Sequence, residues 1–162
     1  MTIEASVTDR PAQDYVAIKR TVTMSSIADI ADRIPEVLAF LRQRGLAPAG
    51  APFLKYNVID MDRELEIEAG VPVNMPVGGS GEIFSDVLPA GRYATVTHVG
   101  HPDELLQVTA DLLSWAHERD LEFDQHDSPA GDVWRCRLEI YHTHPAEVPI
   151  DKWETELAFL LR

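Results

Sequence analysis

Residues 153–160 read Trp-Glu-Thr-Glu-Leu-Ala-Phe-Leu, a strand that alternation divides into two faces. Trp153, Thr155, Leu157 and Phe159 share one face, and Glu154, Glu156 and Ala158 share the other. A glutamate in so apolar a strand either faces solvent or is buried. If buried, its carboxylate is paired with a cation or protonated. The first state suits a counter-ion for a cationic ligand and the second an acid/base group; the alternative for Glu156 is a solvent-facing place on a half-exposed strand. Residues 133–143 form another strand. Arg135, Arg137, Glu139 and Tyr141 lie on one of its faces. Trp134, Cys136, Leu138 and Ile140 lie on the other, expected to be the core face packed on helices.

Other polar residues carry weaker signals. His142 and His144 put two imidazoles on one strand face, as a metal pair would need. A site requires a third ligand, for which His98, His101 and Glu147 are the candidates. Solvent or turn roles are the expectation for His142 and His144, with no metal and no cofactor. His98 and His101 flank Gly100 at a strand-to-helix turn, where capping or loop packing is expected. Gly78-Gly79-Ser80-Gly81 lacks the Lys-Ser/Thr of a phosphate loop and reads as a flexible connector. Cys136, between apolar neighbours, is not expected to be a nucleophile. Glu64, Glu66 and Glu68 alternate with Leu65, Ile67 and Ala69, giving a solvated acidic face from which Glu68 alone could reach a cleft.

These side chains need a scaffold. Residues 1–12 read as a loose start and 14–24 as a strand. Ser25 and Ser26 can cap a short helical turn that runs to Arg33. Pro35 interrupts it and opens a second helix to Arg44, stopped at Gly45. Residues 52–60 and 63–73 form an antiparallel pair joined at Met61-Asp62, and 76–81 connect to the second half. There, 91–99 is a strand and Pro102 opens a helix to Arg119; 133–143 and 153–160 are strands. Strand, helix, strand, strand thus occurs twice. Tyr15 and Tyr93 open the two first strands at an offset of 78, and Arg44-Gly45-Leu46 matches Arg119-Asp120-Leu121 at an offset of 75. Near-constant offsets imply duplication. The expected fold class is α+β: two βαββ repeats, helices on one face of a joint antiparallel sheet and a ligand cleft on the other. The expected boundaries are an N-terminal extension at 1–13 and a single domain at 14–162, with halves at about 14–75 and 90–162.

Composition limits the partners. With 162 residues the chain fits one domain, and 45% apolar with 25% charged residues is globular rather than disordered. The 27 acidic residues outnumber the 14 basic ones, for a net charge of −13. Direct nucleic-acid binding and docking on anionic membranes are therefore not expected. No apolar stretch approaches a membrane span, and residues 1–10 lack a signal-peptide pattern. The lone cysteine excludes an intramolecular disulfide, so a cytoplasmic location is expected.

The segment Val148-Pro149-Ile150-Asp151-Lys152-Trp153-Glu154-Thr155-Glu156-Leu157 resembles the closing motif of GyrI-like domains, also called bacterial effector-binding domains. Leu138-Glu139-Ile140-Tyr141 with Pro145 resembles that family's penultimate strand. Glu66-Ile67-Glu68-Ala69-Gly70-Val71-Pro72-Val73 resembles the end of its first half, and Ala94-Thr95-Val96-Thr97-His98-Val99-Gly100 with Glu104-Leu105 the opening of its second. The resemblance spans roughly residues 14–160. It implies two βαββ halves related by pseudo-twofold symmetry, with a cleft between them in which a closing-motif glutamate helps to bind cationic or amphipathic aromatic compounds. Glu156 matches that glutamate, and Tyr141, Trp153 and Tyr56 match aromatic positions associated with the cleft. Many relatives carry a DNA-binding segment ahead of this domain, whereas only about a dozen residues precede it here. A stand-alone binding module for an aromatic or cationic molecule is the first functional expectation. The resemblance also implies a hydrolase of cyclopropane-bearing aromatics, with Glu156 activating water and Tyr141 positioning the substrate. An acidic inhibitor or interaction module with a protein partner is the third.

Overall fold

The computed structural model describes residues 3–162. Among them the first half runs β1 (Ser6–Arg10), β2 (Gln13–Val22), α1 (Ala28–Ala31), α2 (Ile34–Gln43), β3 (Phe53–Ile59) and β4 (Leu65–Pro72). The second runs β5 (Phe84–Leu88), β6 (Gly91–Val99), α3 (Leu105–His117), β7 (Gln125–Ser128), β8 (Gly131–Trp134), β9 (Arg137–Tyr141) and β10 (Glu154–Leu160). α1 and α2 are separate, as Pro35 requires. Pro35 occupies the first turn of α2, where its missing N–H costs nothing. A helical turn at Pro102–Glu104 leads into α3. His101 caps it: its Nδ1 accepts from the Asp103 amide at 3.0 Å, while Glu104 accepts from the His101 amide at 3.0 Å.

The strands form an antiparallel sheet in the order β1-β6-β10-β9-β3-β4-β2-β5, with β8 alongside β3 and β7 alongside β8. The α+β class and the two-half arrangement are thus those expected. β3-β4-β2 and β9-β10-β6 are the two equivalent triplets, joined through β3 and β9. Each triplet is bordered by a strand from the other half. β1 leads into β2 but pairs with β6, and β5 leads into β6 but pairs with β2. The links are short and alike: Pro11-Ala12 precedes Tyr15 by the same spacing as Pro89-Ala90 precedes Tyr93. Because each edge strand is tied by so short a link to a strand near the opposite edge, the sheet must curl.

Each sheet face has its own apolar cluster. Val16, Ile18, Leu54, Ile67, Ala94, Val96, Leu157 and Phe159 pack with Ile30, Val37, Leu41, Val108 and Leu112 of the helices. The helix-free face carries Tyr15, Ala17, Phe53, Tyr93, Cys136, Leu138, Ile140 and Ala158. Tyr15 and Tyr93 are each 1% exposed and hold matching positions on this face, in keeping with duplication. The Phe53 ring lies over Gly70, where a Cβ would stand 2.6 Å from ring carbons.

Three expectations need correction. The loose start is, from Ser6, a strand: β1 pairs with β6 from Ser6↔Thr95 to Arg10↔Gly91. β5 and β7 are short edge strands in stretches where the sequence led to no strand being expected. Residues 133–143 are not one strand but β8 and β9, separated at Arg135 and Cys136. Opposite this break the β3–β4 register shifts between Tyr56 and Val58. Alternation therefore does not run through: Trp134 stays on the helix face, whereas Cys136, Leu138 and Ile140 turn to the helix-free face. Among the described residues no helix is long and apolar enough to cross a membrane.

Candidate functional site

At the centre of the sheet Leu54 of β3 pairs with Glu139 of β9. The matching registers of β3–β4 and β9–β10 make these two residues equivalents in the two halves, so the pseudo-twofold axis passes between them. Two residues further on, Tyr56 and Tyr141 are likewise equivalent. Both hydroxyls donate to the Glu139 carboxylate, Tyr141 at 2.5 Å and Tyr56 at 3.4 Å. The duplicated frame thus brings two symmetry-related phenols onto one carboxylate.

Above this cluster, between α3 and the sheet, lies a hollow of about 250 Å³. Tyr56, Arg137, Glu139, Leu157 and Phe159 line it from the sheet, and Leu105, Leu106 and Thr109 line it from α3. Met24, Met61 and Leu106 are lining residues that are also exposed, and they mark its mouth. Burial pushes the Glu139 carboxyl above its ordinary range, a shift opposed by the Tyr141 hydrogen bond and the Arg137 charge. Burial and the adjacent Glu139 charge raise both tyrosine hydroxyls, so they remain donors. The Arg137 guanidinium lies 4.6 Å from the ring centres of Trp134 and Phe159 and 5.9 Å from that of Tyr56. Burial lowers its pKa to about 10, which leaves it charged at neutral pH.

The helix-free face holds a different arrangement. Glu156 is half-buried there; it accepts from Arg10 and meets His142 Nε2 at 2.8 Å. All three border a hollow of about 260 Å³ whose apolar walls include Phe53, Leu88, Tyr93, Leu138 and Ile140. A cleft on this face was expected, although Tyr15, Tyr93 and Phe53 already fill much of it. Glu68 is 4% exposed and closed into a polar cluster. Tyr15 and Asn57 each donate to it at 2.6 Å, and the Lys55 ammonium lies at 3.4 Å. Trp153 donates from its indole to the Val148 carbonyl at 3.0 Å and so braces the loop before β10.

The five expected site residues therefore do not share one cleft. Tyr56 and Tyr141 are on the helix face, Glu156 and Glu68 on the other, and Trp153 at a loop. The pairing explains why: Tyr141 lies opposite Thr155, so Ile140 and its partner Glu156 must point to the other side. Glu156 and Tyr141 cannot both reach one reacting atom. Of the histidine pair, His142 bonds Glu156, while His144 Nδ1 accepts from the Ala146 amide at 3.1 Å within its own turn. Sequence alternation places Glu139 and Arg137, which line the helix-side hollow, only on a strand face opposite the expected core. The signal that could have found Glu139 is the repeat itself, which sets an ionisable residue where the first half has Leu54.

A family model described as the GyrI-like small molecule binding domain matches residues 4–162. The crystal structure of the EcmrR C-terminal domain shares the fold, with a TM-score of 0.78 over 100% of this chain and 99% of that one at 20% identity. EcmrR in a DNA complex studied by cryo-EM gives a TM-score of 0.77 at 19% identity, over 98% of this chain and 57% of that chain. The present chain thus spans little more than half of that relative. SAV2435 bound to tetraphenylphosphonium gives a TM-score of 0.65 at 16% identity, over 99% of this chain and 94% of that one. No curated relative matches by sequence.

Proposed function

Because the chain belongs to the GyrI-like small molecule binding domain family, we propose that its small molecule is held in the hollow between α3 and the sheet. The observation that carries this reading is Glu139, a carboxylate on the pseudo-twofold axis held by two symmetry-related tyrosines and lining an apolar, open-mouthed hollow. Aromatic and aliphatic walls with a few fixed polar groups suit a flat, mainly apolar organic guest. Tyr56 supplies a ring face, and Glu139 with the Tyr56 hydroxyl orients the guest's polar group. Tyr141 positions the carboxylate rather than lining the hollow. Met24 and Met61 at the mouth are side chains that adapt to guests of different outline.

In this reading Glu156 is not the anchor of a cation, because Arg10 already neutralises it. Glu68 and Trp153 support the sheet and the closing loop. The test is a thermal-shift screen with flat aromatic compounds on the wild-type chain and on Thr109→Trp, which fills the hollow from α3. Shifts seen in the wild type and lost in the variant support the site. Shifts that persist in Thr109→Trp would place binding elsewhere and overturn it.

A further inference from the structure

The helix-side hollow already contains a cation of its own. Arg137 lies among Trp134, Phe159 and Tyr56, which come from β8, β10 and β3, in the manner of an aromatic cage around a bound ammonium. Its guanidinium takes part in none of the ion pairs formed among the described residues. It also borders a second hollow, beside Leu113, His117 and Phe123, and so stands as the partition between the two. Trp134 is 5% exposed, and its indole N–H has no acceptor among the described residues. Trp134 lines that second hollow rather than the helix-side one, so within the cage it is Arg137 that brings both N–H donors and a positive charge to the helix-side hollow.

We infer that Arg137 sets the specificity of this hollow: it occupies the cation position, excludes permanently charged lipophilic cations and favours uncharged aromatic molecules that carry an oxygen acceptor. The inference rests on the reading of the hollow as the binding site. Glu139 does not turn the hollow into a cation receptor. When ionised it balances Arg137, leaving no net attraction for a cation; when protonated it leaves the arginine charge unopposed. A carbonyl-type acceptor satisfies donors that the fold leaves without partners, whereas a second cation meets a like charge at close range.

Two flat probes of nearly equal shape separate these cases: 1-methyl-4-phenylpyridinium, which is cationic, and 1-methyl-4-phenylpyridin-2-one, which is neutral with a carbonyl. Their affinities are measured by calorimetry on the full chain, on Arg137→Met, on Arg137→Lys and on Thr109→Trp. The wild type is expected to prefer the neutral probe by about tenfold or more. Arg137→Met keeps the aliphatic stem and should erase or reverse that preference, while Arg137→Lys keeps the charge and should retain it. A wild type that prefers the cation, or a preference unchanged in a folded Arg137→Met, overturns the role of Arg137 alone. If Arg137→Met does not fold, loss of the preference in Arg137→Lys overturns it equally. Probe binding that survives in Thr109→Trp, or no binding to the wild type, overturns the site itself.

Discussion

Leu54 and Glu139 face each other across β3 and β9 as equivalents of one duplicated position, one apolar and one ionisable. The substitution of a carboxylate for an alkyl group at this place gives an otherwise apolar junction a polar centre. It also gives the centre a titration signature.

Burial holds the Glu139 carboxyl above its ordinary value of 4.5, so the folded chain retains a proton that the unfolded chain has lost. The stability this contributes is fully present below the ordinary carboxylate range and is lost as pH rises through the raised value. Glu139→Gln mimics the protonated state and removes this dependence. Denaturant unfolding across that window should show the wild type losing up to about 1.4 kcal/mol per pH unit more than the variant. Asp132 is shifted the same way by burial and by Asp127, but it is common to both proteins and cancels in the difference. Parallel pH profiles would contradict the assignment.

Glu68 and Glu156 are also equivalents, on β4 and β10, and they differ in enclosure. The Glu68 side chain is 6% exposed beside Lys55, that of Glu156 16% exposed beside Arg10. Glu68→Ala leaves the Lys55 ammonium nearly buried beside no carboxylate and should cost about 3–5 kcal/mol in chemical denaturation. Glu156→Ala should cost about 1 kcal/mol, since Arg10 and His142 can turn to solvent. Equal losses would mean that the two clusters carry similar strain.

The helix ends form a third comparison. Gly45 at φ 69° follows α2 and Asp120 at φ 56° follows α3. The next amides, of Leu46 and Leu121, both reach back to helical carbonyls at 3.0 Å. An L side chain is strained in this left-handed conformation. Asp120→Gly should raise stability by about 0.5–1 kcal/mol and Gly45→Ala should lower it by about 1 kcal/mol, read as opposite shifts in Tm.

Gly70→Ala tests how firmly the helix-free face is packed. The new methyl would meet the Phe53 ring, which is 2% exposed and has little room to withdraw. A loss of about 1–3 kcal/mol is expected, with near-complete recovery in the double variant Gly70→Ala/Phe53→Leu. A stable single variant would show that the ring can move aside.

Much of the frame was legible in the sequence because it is written in local terms. Pro35 marks the boundary between α1 and α2, Pro102 opens the turn into α3, and the two helix ends repeat at a constant offset. β1 and β5 were not legible, because their short sequences acquire meaning only from partners in the opposite half. The division of the candidate residues between the two sheet faces was not legible for a related reason. It depends on the interruption at Arg135 and Cys136 and on the irregularity in β3, both products of pairing between distant strands. Alternation assigns faces correctly within β10 but cannot be carried across a break that it does not detect. Tyr56 and Tyr141 were singled out as members of a site; the carboxylate they hold was not.

The exchange of border strands bears on how the chain folds. Neither half can complete its own sheet, since β6 obtains its outer neighbour from the first half and β2 from the second. Completing the sheet therefore requires contacts between residues far apart in sequence, since β1 pairs with a strand about 81–89 residues further on, from Arg10↔Gly91 to Ser6↔Thr95. A chain severed within residues 76–81 would yield two fragments that are each other's templates. Mixed together they would reconstitute one sheet; kept apart, each would expose an unsatisfied edge open to self-association.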